Sequence, residues 1–219
     1  TGDDDDATGD DDDATGDDDD ATGDDDDAGD DDDATGDDDD STTAGLAPGD
    51  ILITEVMINP GAVDDTDGEW FELLNTTSAA INLSGWVVFD RDLTDSFIIS
   101  PTAPLIVQDN DYVVLGRSDV PGTNGGAPVD WAYGTAFTLA NGEDEIVLGA
   151  PGGSEIHALE YTSAFPNPSG IATQLSGTQL NYAASFDLVN NWCMASTAGA
   201  GTYGMGDTGT PGQANPSCN

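Results

Sequence analysis

The 219-residue chain is split by composition: residues 1–41 hold no hydrophobe larger than alanine and cannot bury a core, whereas the remainder suffices for one β domain. Acidic residues outnumber basic ones 45 to 2, a net charge of −43, which excludes nucleic acid as a partner because phosphates need basic residues to neutralise them. Anionic membranes repel such a chain for the same reason, and no apolar run approaches the ~18 residues of a membrane-spanning helix.

Residues 1–41 are a repeat, TGDDDDA, beginning at Thr1, Thr8, Thr15 and Thr22, without its threonine at Gly29, and again at Thr35 with Ser41 in place of alanine. Its six tetra-aspartate blocks hold 24 of the acids, leaving the rest of the chain at about −19. On one reading the repeat is a spacer, extended by like charges to as much as roughly 140 Å. A sharper reading comes from the joins. Asp4, Asp6, Thr8 and Gly9 have the D-x-D-x-T-G order that opens many calcium loops. The order recurs at Asp11, Asp13, Thr15, Gly16; at Asp18, Asp20, Thr22, Gly23; and at Asp31, Asp33, Thr35, Gly36. Asp25 and Asp27, and Asp38 and Asp40, supply the same alternate carboxylates in the other two blocks.

Calcium takes about 6–8 oxygen ligands, so alternate aspartates suit it and Ca2+ is the expected ion. The match to an EF-hand is partial, since no glutamate stands at the twelfth position, and the glycine-rich signature of calcium-binding β-rolls is missing. In an extended block the third and fifth residues of a repeat face one way and the fourth and sixth the other. One chain therefore offers each ion part of a shell. A second carboxylate surface can complete it, which predicts self-association into a homo-oligomer or fibre.

Residues 42–49 form a linker, and residues 50–219 the domain. Asp50 to Ile58 alternates, predicting a first strand with Ile51, Ile53, Glu55 and Met57 on one face. The loop Asp64 to Glu69 reads either as a solvated turn or as a second calcium cage made by Asp65, Asp67 and Glu69. In the stretch Gly68 to Trp86, Phe71 and Leu73 share one face and Trp70, Glu72 and Leu74 the other. Large groups on both faces predict an interior strand, followed by a second core strand after the small polar residues Asn75 to Ala80.

Further strands are expected at Trp86–Phe89, Ser96–Ile99, Leu105–Val107 and Tyr112–Gly116, with Trp70 or Phe71, Leu73, Trp86 and Tyr112 in the core. Arg91 is expected to pair with its neighbours Asp90 and Asp92, and residues 118–130 to form a surface excursion. Phe137–Ala140 and Glu145–Gly149 predict a hairpin about Asn141-Gly142. Glu155–Tyr161 is another strand, in which His157, without cysteine or histidine partners, reads as a packed imidazole rather than a zinc ligand. Gln174-Leu175 and Gln179-Leu180 are expected in the last strands, and the chain beyond Cys193 to wrap the surface. Cys193 and Cys218 are two thiols in a reducing compartment; in an oxidising one they close a loop worth about 3 kcal/mol. A disulfide is the expectation. No nucleophile, base or metal triad orders itself for catalysis.

These residues also carry a resemblance. The order I-T-E-V-M-I-N-P from Ile53, then D-G-E-W-F-E-L-L-N, then I-N-L-S-G-W resembles the bacterial branch of the lamin tail domain family. It continues in Tyr112 to Leu115, Leu139 to Glu143, Asn191-Trp192-Cys193 and Gly209 to Gly212. The resemblance covers roughly Asp50 to Asn215 and none of the acidic repeat tail of residues 1–41. It implies an all-β, immunoglobulin-like antiparallel β-sandwich, used for binding or as a spacer in secreted and surface proteins. It implies no catalytic residues.

Taken together, these features predict an extracellular calcium-binding structural or adhesive protein of a bacterial surface or matrix, partnered by itself and by surface glycan or matrix components. Two other readings stand beside it: an ion- or mineral-sequestering surface protein, and an accessory binding domain of a secreted hydrolase.

Overall fold

The computed structural model describes residues 45–219. The chain runs through β1 (Ile51–Met57), one helical turn α1 (Asp65–Gly68) and β2 (Trp70–Asn75). Short strands follow: β3 (Ile81–Asn82), β4 (Val87–Phe89), β5 (Ser96–Ile98) and β6 (Ile106–Val107), then β7 (Tyr112–Gly116) and β8 (Trp131–Ala132). The second half holds β9 (Asp144–Gly149), β10 (Glu155–Tyr161), β11 (Thr173–Leu175), the turn α2 (Tyr182–Ser185) and β12 (Trp192–Met194). It finishes with α3 (Ala195–Ala198), β13 (Thr202–Tyr203) and β14 (Asp207–Thr208).

Two main sheets pack face to face in an immunoglobulin-like, all-β architecture. One has the order β12-β11-β1-β2-β7-β8 and the other β10-β9-β4-β5. Pairing between the named strands is antiparallel except for β7 with β8. The core between the sheets takes Ile51, Ile53, Phe71, Leu73 and Leu115 from the first sheet, and Val88, Phe97, Ile146, Leu148 and Leu159 from the second. Leu83 and Trp86 close it between the short strands, both fully buried.

The alternation in Trp70–Leu74 holds. Phe71 and Leu73 enter the inter-sheet core, while Trp70 joins a second apolar cluster on the outer face with Met57, Val114 and Ala172. β2 is interior as expected, paired with β1 and β7. Tyr112 is only half-buried and stands outside that core.

Three further expectations about the strands change. The first strand does not keep one alternation, because its register against β2 shifts between Ile53 and Glu55. Thr54 is the extra residue of a β-bulge, which moves every later side chain to the other face. Ile51, Ile53, Val56 and Ile58 therefore face the second sheet, and Met57 the outer cluster. The hairpin about Asn141-Gly142 is absent. Residues 137–140 are not in a strand, and β9 pairs with β4 and β10 instead. The backbone there is used by side chains: Leu139 N–H donates to Glu69 Oε2 at 3.1 Å, Ala140 N–H to Asp144 Oδ2 at 2.7 Å, and the Phe137 carbonyl accepts from Arg117 at 2.5 Å. Gln179-Leu180 follows a turn at residues 177–178 and precedes α2, outside any strand.

Beyond β12 the chain does wrap the domain, over the outer face of the six-stranded sheet. Ala195, Ala200 and Tyr203 pack on the outer cluster, and Tyr203 Oη accepts a 2.9 Å hydrogen bond from Trp70 Nε1. Cys193 and Cys218 are disulfide-bonded and fasten the end of this strap to β12.

Candidate functional site

The expected ligands Asp4, Asp6, Thr8, Asp11, Asp13, Thr15, Asp18, Asp20, Thr22, Asp25, Asp27, Asp31, Asp33, Thr35, Asp38 and Asp40 lie outside the described residues. The second expected cage, Asp65, Asp67 and Glu69, is within them, and its three carboxylates are not brought together. Asp65 and Asp67 stand on α1, and Asp65 Oδ2 accepts from Asn141 Nδ2 at 2.8 Å. Gly68 turns the chain inward: a Cβ there would stand 2.5 Å from Val63 and 2.8 Å from Pro60. Glu69 follows it into the interior, 2% exposed. There its Oε2 accepts from Leu139 N–H and lies 3.4 Å from Arg117 Nη1. Burial, only partly offset by Leu139 and Arg117, pushes this carboxyl up to about 8. Among the described residues, no three His, Cys, Asp or Glu side chains converge on a metal position.

Glu69 is one of three motif glutamates that hold distant segments in place. Arg117 extends its set of contacts by donating to the carbonyls of Thr66 and Phe137 and to Thr138 Oγ1. The other two, Glu55 and Glu72, are direct register partners on β1 and β2, both fully buried on the outer face. Glu55 accepts from the N–H and hydroxyl of Thr210, at 3.0 and 3.1 Å. Glu72 accepts from Thr54 Oγ1 at 2.7 Å and from Gly212 N–H at 2.8 Å. The motif Gly209–Gly212 is thus clamped onto the sheet, and a Cβ on Gly209 would come 2.9 Å from Glu55 Oε1. Burial pushes Glu55 up to about 7 against the Thr210 donors. It pushes Glu72 well above the carboxylate range, and the charge of Glu55 adds to the effect.

The bulge explains why sequence reading missed this pair as a site. By simple alternation Glu55 shares a face with Ile53, whereas the extra residue Thr54 brings it beside Glu72. The signal present in the sequence was the pair of acids inside apolar strands, TEVM and WFELL, with no lysine anywhere to neutralise them.

Arg91 reaches past its neighbours to Glu155 and Glu160, with N–O distances of 2.6 and 2.5 Å, an exposed pairing between the β4–β5 turn and β10. His157 is a packed imidazole as expected. Its Nδ1 accepts from Ile53 N–H at 3.1 Å and its Nε2 lies 2.7 Å from Ser185 Oγ. Burial lowers its pKa to about 4, so it is neutral. Asn75 is fully buried and donates to the carbonyls of Ala79, Val107 and Gln108. A cleft of about 510 Å³ opens on the side of β10 and β12, lined by Thr162, Phe165, Pro166, Leu188, Val189 and Trp192, with Val189 88% exposed.

The described residues thus form an all-β immunoglobulin-like sandwich whose buried acids fasten its own loops. The family comparison is specific: the Lamin Tail Domain model matches residues 45–163, more than half of the chain, and the chain belongs to that family. The motifs Asn191-Trp192-Cys193 and Gly209–Gly212 lie beyond the matched span, although both are tied to it through β11 and the glutamate pair. No curated protein matches the chain. Among the described residues, no helix is long and apolar enough to cross a membrane.

Proposed function

We propose that the protein is an extracellular, calcium-binding structural or adhesive protein. The sandwich is the folded body and the aspartate repeat is an ion-loaded connector that bridges neighbouring subunits into a homo-oligomer or fibre. The observation that carries this reading is the D-x-D-x-T-G order at four joins within residues 1–41, which offers closely spaced oxygen ligands and no competing base. Membership of a binding and structural family supports it, and the disulfide suits an oxidising compartment. The repeat itself contains no basic residue, and among the described residues Arg91 pairs with Glu155 and Glu160 and Arg117 with Glu69. Each tetra-aspartate block carries −4, and its charges lie within a Debye length of about 8 Å of one another. Shared divalent ions turn that repulsion into attraction. Affinity per site is expected at roughly 10⁻⁴–10⁻³ M, with strength arising from repetition.

Light scattering tests the reading. In millimolar calcium the full chain should form large particles that EDTA disperses, and deleting residues 1–41 should abolish them. A deleted chain that still assembles sinks the proposal. Calorimetry showing calcium uptake without growth in size would favour ion sequestration instead.

A further inference from the structure

The outer face of the six-stranded sheet holds a row of oxygens that loop-fastening alone does not explain. Gln174 on β11, Glu55 on β1 and Glu72 on β2 are successive register partners, so their side chains stand side by side on one face. All three are 0% exposed. No basic side chain is at hand: Arg91 is held at Glu155 and Glu160, Arg117 lies against Glu69, and there is no lysine in the chain. The flanking groups are neutral ones, the hydroxyls of Thr54 and Thr210, the N–H groups of Thr210 and Gly212, and the phenols of Tyr112 and Tyr203. Two buried carboxylates without a counter-charge are strongly unfavourable.

Gln174 adds a second, independent sign. Its Nε2 donates to the Pro216 carbonyl at 2.8 Å, while its Oε1 is buried without any donor. A buried acceptor left orphaned carries the full cost of its lost hydration. Other oxygens border the row: Thr54 Oγ1 donates to Glu72 at 2.7 Å, and Thr210 Oγ1 lies 3.1 Å from Glu55 and 2.7 Å from Asn215 Oδ1. Carboxylate, amide and hydroxyl oxygens short of positive charge are the ligand set of a hard divalent cation.

We propose that Glu55 and Glu72, with Oε1 of Gln174, bind one divalent cation of the calcium class beneath the C-terminal strap. Burial favours calcium over magnesium, because magnesium gives up its waters reluctantly and this position leaves no solvent-exposed side for them. The ion neutralises the pair, satisfies the orphaned oxygen and fastens Thr210–Gly212 to the sheet. None of these residues belongs to the aspartate repeat, so the site stands or falls separately from the bridging role proposed above.

Terbium, a luminescent stand-in for calcium, reports the site in the full chain. Trp70, Tyr112 and Tyr203 lie on the same face and can sensitise a bound ion, whereas residues 1–41 contain no aromatic side chain. Emission excited through the aromatics should appear in the unmodified protein, fall on adding calcium, and be lost in Glu55→Gln/Glu72→Gln. Asp65→Asn/Asp67→Asn should leave it unchanged. Gln174→Leu keeps both carboxylates and should raise the terbium concentration for half-maximal emission about tenfold, the loss of one ligand. It also carries the test if the double glutamine variant does not fold. Absence of sensitised emission in the unmodified chain, or emission unaltered by both sets of substitutions, overturns the proposal and leaves the pair holding protons instead. Deleting residues 1–41 should abolish assembly yet keep this emission, which separates failure of one site from failure of the other.

Discussion

The two faces of the six-stranded sheet are covered by different means. The inner face meets a second sheet, and aliphatic and aromatic side chains from both layers fill the space between them. The outer face meets the strap after β12, rich in Gly, Ala, Ser and Thr, whose Tyr203 is its main apolar contribution to the cluster. Such a segment has too little apolar surface to be held by the hydrophobic effect alone. Directional contacts take over: two glutamates for Thr210 and Gly212, Asn215 for the carbonyls of Thr54 and Leu175, and a disulfide at the end. A sheet with bulky residues on both sides can thus be sealed by packing on one and by polar anchors on the other.

The largest expected effect tests the packed face. Phe71→Ala empties a fully buried ring between the sheets and should cost about 4 kcal/mol in denaturant unfolding. If the loss is under ~1 kcal/mol, the inner face is not the principal source of stability. On the anchored face, Cys193→Ser/Cys218→Ser should cost about 3 kcal/mol, and should speed proteolysis in the strap before the rest of the domain. Uniform cleavage throughout would instead make the strap an integral part of the sandwich.

The buried acids set the pH dependence. Glu69, with its folded pKa raised from 4.5 to about 8, keeps a proton that the unfolded chain releases. Its contribution therefore falls as pH rises from about 4.5 to about 8. His157 works oppositely: lowered from 6.5 to about 4, it weakens the fold as pH falls through that window. Glu69→Gln should flatten the urea midpoint between about pH 5 and pH 8 by the slope of one proton, and an unchanged slope would locate the linkage elsewhere. The smallest expected effect is Tyr203→Phe, which removes the acceptor for Trp70 Nε1 and should cost about 1 kcal/mol, measured by thermal unfolding.

Strand-forming stretches were legible because alternation reports burial directly. Trp70–Leu74, Tyr112–Gly116 and Glu155–Tyr161 each lie in a strand. The bulge at Thr54 was not, since one extra residue leaves the local composition of ILITEVM unchanged while exchanging the two faces. The Asn141-Gly142 hairpin failed for a different reason. Its turn chemistry is sound, but the backbone of Leu139 and Phe137 is taken by Glu69 and Arg117 from far along the chain. The same long-range contact undid the acid cage, because sequence proximity placed Glu69 with Asp65 and Asp67 whereas burial turned it away. Alternation and composition carry local information, and the tie from Glu69 to Leu139 spans 70 residues.

The anchoring of Glu55 has a consequence for when the domain can close. Its partner Thr210 follows 155 residues later, and the β11 strand beside it begins only at Thr173. At synthesis rates of about 5–20 residues per second, roughly 8–30 s separate the appearance of the first strand from that of the segment that caps it. The early strands emerge with their outer acids unmet, and the final structure is a late event in the life of each molecule. Its assembly is therefore governed by long loop closures, which belong to the slow end of the folding range.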